Sequence, residues 1–464
     1  MTSPLVAPLT QHYAEFIAGT RPSQVPAESL AVARLGFSDC AGVILAGRDE
    51  EVVQRVAHFV REQGGKPESR LALGSDRASM IHAGLVGGTA SHALDYDDFA
   101  FSNHPSAVLV PAIMAAADAT GADGARMATA YLVGYEIWAD IMLRERDLFY
   151  DRGWHPTAVL GPIGAAAAVA VMLGLDVEGA RNALALAASD AGGVFENFGT
   201  MAKPWHGGRT AAAGLSSASL AAAGLIASPT ALEGHRGLLR ALSPNGNVDL
   251  TTPPQLGKVW RSAAMKLNIK KYPVVGAAQR GIDAVLAMQA VQRVDPKRVR
   301  SVEAHISLRH AAVMPYHLPQ DALQAKFSLE FAVASALVYG GVGFDQMTDA
   351  TVRDPLVQSI MKGVSIVTTE EFEPEWRDAA PFDLFHFTLD DGAVVSTPKV
   401  RRPKGHFDTP LSTEELWAKF RGCALYGGVN EGAARELFDV MQRIDSLAGS
   451  ADIPVMPRQD ARPG

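Results

Sequence analysis

The sequence predicts a mainly α protein with an added α+β part, and three features of its patterning say so. Up to about residue 265 the chain reads as almost continuous alanine-rich helix. Near residue 266 the pattern changes: Val302, Ala304, Ile306 and Leu308 alternate with Ser301, Glu303, His305 and Ser307, the period of a half-buried strand. Beyond about residue 400 the helical period returns. The expected architecture is a large all-helical domain built from both chain ends, 1–265 and 401–464, with a smaller α+β domain, 266–400, inserted between them.

In chain order, helices are expected at Leu30–Ala46, Met80–Leu94, Pro105–Ala119, Gly124–Arg144, Pro156–Leu173, Val177–Ser189 and Arg209–Ala227. Breaks fall at Gly64-Gly65-Lys66-Pro67 and Gly121-Ala122-Asp123-Gly124. Asp176 followed by Val177-Glu178 is a helix start with an acidic first turn. Pro111 and Pro162 fall inside their helices and are expected to kink them. The inserted domain should hold helices at Ala277–Gln289 and Ala325–Tyr339 and a second strand at Gly363–Thr368. A hairpin is expected from Phe382–Leu389 through Asp390-Asp391-Gly392 to Ala393–Ser396. Helices at Thr413–Arg421 and Asn430–Leu447 rejoin the helical domain, and the last dozen Pro-rich residues are expected to be disordered.

Composition narrows the class of function. A chain of 464 residues, 48% hydrophobic and 20% charged, can bury a large core. Its formal net charge of −8 argues against a nucleic-acid partner, and there is no basic run with interleaved aromatics. Two cysteines, Cys40 and Cys423, exclude a four-cysteine zinc site and a cluster held by three or four thiolates of this chain. They also fit a reducing compartment. Met1 to Phe16 lacks a basic segment followed by an apolar run. Thr157–Leu175 carries no charge, but its alanines, Gly161, Pro162 and Gly164 make a poor lipid-facing surface, so it reads as a buried helix. A cytoplasmic protein with no membrane segment is expected.

One phrase is written twice. His104-Pro105-Ser106-Ala107-Val108-Leu109-Val110-Pro111 recurs 51 residues later as His155-Pro156-Thr157-Ala158-Val159-Leu160-Gly161-Pro162. Pro belongs at a first helical position, where its missing N–H costs nothing, and it pushes the preceding histidine towards a cap. A helix N-terminus attracts anions and disfavours imidazolium, which keeps such a histidine neutral and able to accept a proton.

Three further segments carry candidate chemistry. Asp95-Tyr96-Asp97-Asp98 follows an apolar helix; if helical, Asp95 and Asp98 share a face, and crowding raises the pKa of at least one carboxyl. A divalent-metal reading ranks below proton transfer there. Asn197 to Arg209 reads as a polar, glycine-rich loop in which Lys203, His206 and Arg209 present positive groups to a carboxylate. Lys270-Lys271-Tyr272-Pro273 sits at the seam between the domains.

Taken together, these segments resemble the MmgE/PrpD family, from about Gln11 to Gly427. The markers are Asp95-Tyr96-Asp97-Asp98 with His104-Pro105-Ser106, Gly153-Trp154-His155-Pro156-Thr157, Lys203-Pro204-Trp205-His206, Lys270-Lys271-Tyr272-Pro273 and Ala325-Lys326-Phe327-Ser328. The resemblance implies a helical domain with an inserted α+β lid, a homodimer, and catalysis without metal or organic cofactor. It implies that Asp95, His104, His155, Lys203 and Lys270 are catalytic. Asp98, His206 and Arg209 are the expected substrate contacts, and Tyr316 is matched to a lid tyrosine. Two positions depart from the pattern. Gln279 stands where many members have His, and Phe99 where some decarboxylases have Thr.

The chemistry these reactions share is proton movement alpha to a carboxylate, with cations spreading the negative charge. His155 or His104 is the expected base. Lys203 and Lys270 are expected to hold carboxylates, and Asp95 to orient a histidine. The expected activity is a lyase that dehydrates or decarboxylates a small di- or tricarboxylate such as 2-methylcitrate or cis-aconitate. An isomerase using the same residues is the alternative.

Overall fold

The computed structural model describes residues 6–374 and 379–457. The chain divides into two compact units. The first comprises 1–196, 202–267 and 413–464, and the second 197–201 and 268–412. The chain leaves the helical unit and returns to it, and the five-residue segment 197–201 belongs with the second unit. The Pro-rich tail expected to be disordered lies largely outside the described residues.

In the first unit the paired His-Pro phrases begin the helices Pro105–Thr120 and Pro156–Leu173, with His104 and His155 as N-caps. Gly121 (φ 70°) and Gly174 (φ 67°) end them in the left-handed conformation. Each returns its N–H to the last turn, at Ala117 O and Ala170 O. Pro111 and Pro162 each sit within an unbroken helical segment. The helix Pro156–Leu173 has the length and apolarity of a membrane span, yet 89% of its most apolar stretch is buried inside the fold. It is a core helix, packed with Gly124–Arg144, whose Tyr131, Tyr135 and Trp138 are fully buried.

Two helices, Met80–His92 and Ala202–Ala222, cross at glycines. A Cβ on Gly208 would lie 2.1 Å from Leu85 O and 2.2 Å from Thr89 Oγ1, and one on Gly88 would lie 2.8 Å from Gly207 O. Only glycine lets the backbones approach so closely. The crossing sets the C-terminal end of the first helix against the first turns of the second, and this brings His92 to Lys203. The C-terminal helix Thr413–Tyr426 packs on Ala27–Gly47, with a Lys419–Asp39 ion pair of 2.6 Å within the contact. Phe420 and Phe438 of the following helix pack with ring centroids 5.2 Å apart.

The second unit is built on a four-stranded sheet in the order Val364–Thr369, Val299–Ser307, Leu384–Leu389, Val394–Ser396. The first pair is parallel, with Val302 opposite Val364. The other two are antiparallel, with Val302 opposite Phe387 and Phe387 opposite Val395. The alternation read from the sequence holds from Ser301 to Ile306 and fails beyond it: Ser307 is buried, and Leu308 is exposed because it opens the short helix Leu308–Ala312. Val302, Ala304, Ile306, Phe385 and Phe387 point inward onto the helices Gln279–Val291 and Pro355–Lys362, while Glu303, His305 and His386 face outward.

Two local expectations are corrected. The helix expected from Arg209 begins seven residues earlier, at Ala202, so Lys203, His206 and Arg209 lie on its first turns and not in a loop. Pro204 is tolerated because the first-turn N–H groups have no intrahelical partner. The acidic segment is not helical: Met80–His92 ends at His92, and Asp95 has φ 51°, so Asp95 and Asp98 share no helical face.

Candidate active site

The first unit gathers Asp95, Asp97, Asp98, His104, His155, Lys203 and His206 around a residue that sequence reasoning passed over, His92. These side chains come from the end of one helix, the loop after it, two helix N-caps and one helix first turn. Most are buried almost completely.

Asp97 is the hinge of the polar network. His92 Nδ1–H donates to its Oδ1 at 3.0 Å, and His104 Nδ1–H donates to its Oδ2 at 2.7 Å. The two imidazoles hold the Asp97 carboxyl well below the usual carboxylate range, although burial pulls it upward. One carboxylate therefore fixes the tautomer of two histidines and turns both Nε2 atoms into acceptors. Lys203 Nζ donates to His92 Nε2 at 2.9 Å and to Asp95 Oδ1 at 2.5 Å. Asp95 reaches this place from a left-handed backbone, a conformation that aspartate tolerates better than most residues. It contacts the lysine, where a histidine was expected.

His155 has a different environment. Its backbone N–H donates to Gly193 O at 2.9 Å, and its Nδ1 faces His206 Nδ1 at 3.2 Å. Its ring stacks on His92, with centroids 5.8 Å apart and planes 11° from parallel. Burial, then the Lys203 charge, pushes the His155 pKa well below the ordinary histidine value. The same two causes take His206 to about 4. Burial takes His92 to about 3 against the opposing pull of Asp97. Three imidazoles are thus neutral at neutral pH, beside one ammonium group.

Asp98 turns the other way, into the protein. It is completely buried beside Ser106, and burial with the nearby Asp39 charge raises its pKa well above the usual range. Its carboxyl is thus pushed towards the neutral form, one residue from a carboxylate whose pKa is pushed the opposite way. Behind the loop, Lys419 Nζ donates to Tyr96 O at 2.8 Å and lies 4.2 Å from the centre of the Tyr96 ring. Ser106 Oγ lies 2.8 Å from Tyr131 OH.

Ligand atoms of His92, His104 and His155 lie within 4.8 Å of one another, as do those of His92, Asp95, Asp97 and His104. A cation there would compete with the Lys203 ammonium, which already occupies His92 Nε2. The donor set is better matched to proton transfer and carboxylate binding than to a metal.

The remaining expected residues are placed elsewhere. Arg209 gives its guanidinium to Gly192 O (2.6 Å) and Asp190 O (2.9 Å), tying down the loop that supplies the Gly193 carbonyl to His155. Lys270 and Tyr316 belong to the second unit. Lys270 is buried there, on a segment whose Ile269 N–H donates to Gly405 O. Tyr316 OH donates to Phe198 O at 2.6 Å, and a Cβ on Gly199 (φ 74°) would meet the Tyr316 ring at 2.5 Å. Tyr316 therefore clamps the segment that leads into the Lys203 helix. Gln279 accepts from the backbone N–H of Lys271 (3.0 Å) and Tyr272 (3.1 Å), and donates to Tyr272 O and Val274 O. It clamps the turn after Lys270, using donors and acceptors at once, which a neutral imidazole cannot match in number.

Residues 11–251 match the MmgE/PrpD N-terminal domain and residues 272–443 the MmgE/PrpD C-terminal domain. The cis-aconitate decarboxylase of Mus musculus is 26% identical over 432 residues, covering 90% of this chain and 86% of its own length. The Homo sapiens cis-aconitate decarboxylase is 25% identical, covering 90% and 88%. That of Aspergillus terreus is 25% identical over 404 residues, covering 81% and 79%.

Proposed function

Since the chain belongs to the MmgE/PrpD family, we propose that it is a carboxy-lyase acting on a small tricarboxylate of the cis-aconitate class. The observation that carries this reading is the Lys203 ammonium, enclosed with Asp95 among three neutral histidines in a buried site. Relatives matched over most of their length, each a cis-aconitate decarboxylase, support the reaction type. None of these three is a dehydratase or an isomerase.

In this mechanism a substrate carboxylate leaves as CO₂, and its bonding pair stays on the substrate carbon. Lys203 supplies fixed positive charge for that electron density, in a site where burial strengthens the interaction. His155, neither of whose ring nitrogens is held by Asp97, takes up a proton from solvent and, as imidazolium, gives it to that carbon, which returns the ring to its neutral form. It regains a proton through His206 or from solvent. Asp97 keeps His92 and His104 in one tautomer, and His104 Nε2 remains an acceptor for a substrate hydroxyl or carboxylic acid proton. The protein is expected to work as a homodimer without added metal.

The test is incubation of the purified protein with cis-aconitate, citrate and 2-methylcitrate, measuring CO₂ and alkene products. Stoichiometric CO₂ from cis-aconitate supports the proposal. Loss of water without CO₂ from either hydroxy acid would replace it with a dehydratase.

A further inference from the structure

We propose that Glu303, His305 and His386 form a divalent-cation site of the zinc class on the outward face of the second unit's sheet. Glu303 and His305 lie two residues apart on one strand, which places both on the same face. The register sets His386 of the neighbouring strand directly opposite Glu303 and diagonal to His305. One ligand atom from each of the three lies within 4.8 Å of the other two.

The individual contacts favour a cation. Glu303 Oε1 and His305 Nε2 are 2.6 Å apart, sharing a proton that a metal ion would replace. His386 Nδ1 lies 2.7 Å from Ser396 Oγ; donation of that N–H orients the ring and leaves Nε2 as a lone pair, as outer hydrogen bonds do for metal-binding histidines. The two rings meet edge to face with centroids 5.4 Å apart. The backbone beneath is fixed, because the alternate residues Val302, Ala304, Phe385 and Phe387 are fully buried. The side chains above it are free to close: Glu303 is 53% exposed and His305 37%. Tetrahedral ligation at ~2.0–2.2 Å sets ligand atoms roughly 3.3–3.6 Å apart, so Glu303 and His305 need only open slightly from their 2.6 Å contact while His386 closes from within 4.8 Å. Two imidazoles and one carboxylate suit Zn²⁺, with Ni²⁺ and Cu²⁺ as competitors, and leave a fourth position for water or a ligand from outside the chain. Bound there, the cation would staple the strands Val299–Ser307 and Leu384–Leu389 together.

The cluster is invisible to local sequence spacing, since His386 lies 81 residues beyond His305. It is independent of the reaction proposed above. The test is calorimetric titration of the chelator-treated full chain with ZnCl₂, for the wild type, His386→Ala and Glu303→Gln, with melting temperatures measured with and without zinc. All three substituted or retained side chains face solvent, so the metal-free proteins should melt alike. The expected result is one zinc equivalent in the wild type that either variant weakens at least tenfold. A zinc-induced rise in melting temperature should be lost with it. Identical isotherms for the wild type and His386→Ala would overturn the proposal. So would a zinc equivalent that both variants retain at full affinity, which would place the metal elsewhere in the chain.

Discussion

His155 and His206 face each other through the same ring nitrogen, Nδ1 to Nδ1 at 3.2 Å, so they hold one proton between them. If one ring donates, the other must accept, and the two neutral tautomers are coupled in opposite senses. His155→Ala is expected to abolish turnover. His206→Gln should lower kcat about 100-fold by leaving the His155 tautomer unfixed, the lower end of what general acid–base groups contribute. Circular dichroism and melting should show both variants folded, and unchanged kcat in either would remove that residue from the chemistry.

Asp97 and Asp98 are chain neighbours whose pKa values are shifted in opposite directions, and their amide variants should separate them. Asp97→Asn leaves two buried histidines with a weaker, half-inverted partner. It should cut activity at least ~100-fold and cost about 3 kcal/mol or more, as broken buried ionic networks do. Asp98→Asn replaces a carboxyl that burial already drives towards the neutral form. Because the Asp98 pKa is raised on folding, its contribution favours the fold below the unfolded value and is lost as pH rises. At neutral pH Asp98→Asn should therefore be tolerated or slightly stabilising. Equal melting-temperature losses in the two variants would refute this division.

Lys419 ties the Asp95–Asp98 loop to a distant part of the chain, through Asp39 and the Tyr96 carbonyl. Lys419→Met should destabilise by about 3–5 kcal/mol, since it strands a buried Asp39 charge. Asp39→Asn combined with Lys419→Met should recover much of the stability. Activity in the double variant should stay low, because Tyr96 O and the loop lose their anchor. Thermal melting alongside initial rates checks both halves.

Acid should destabilise the protein well above the carboxylate range. His92 (about 3), His206 (about 4) and His155 have depressed pKa values in the fold. In the unfolded chain they titrate near ~6.5. Below that pH the unfolded state binds protons that the fold refuses, at up to ~1.4 kcal/mol per pH unit for each group. The stability is present above about pH 6.5 and lost as pH falls towards 4. Denaturant titrations from pH 7.5 to 4.5 should show the loss, and His206→Gln should show a smaller slope.

Much of this was legible in the sequence, and the misses have identifiable causes. The His-Pro phrases marked two helix starts because Pro constrains its own residue and the one before it, both local effects. The strand alternation of residues 301–306 was likewise local. His92 was passed over because it closes an apolar helix with no flanking signal, and its role comes from a glycine crossing with a helix more than a hundred residues away. The Lys203 helix was placed too late because Pro204, Gly207 and Gly208 look like a loop. There Pro occupies a first turn and the glycines serve close packing against Leu85 and Thr89. Asp95 to Asp98 gave no hint of its left-handed turn, and the tethers of Arg209, Gln279 and Tyr316 are tertiary contacts that spacing alone does not encode.

The most direct measurement is proton NMR of the wild type and His155→Ala with cis-aconitate in D₂O. The wild type should release CO₂ and form an unsaturated dicarboxylate one carbon shorter, carrying one deuterium on the carbon that received the proton, while His155→Ala should leave the substrate intact. Deuterium exchange into cis-aconitate without loss of carbon would rule out the proposed carboxy-lyase, and undiminished turnover in His155→Ala would rule out the proposed proton donor.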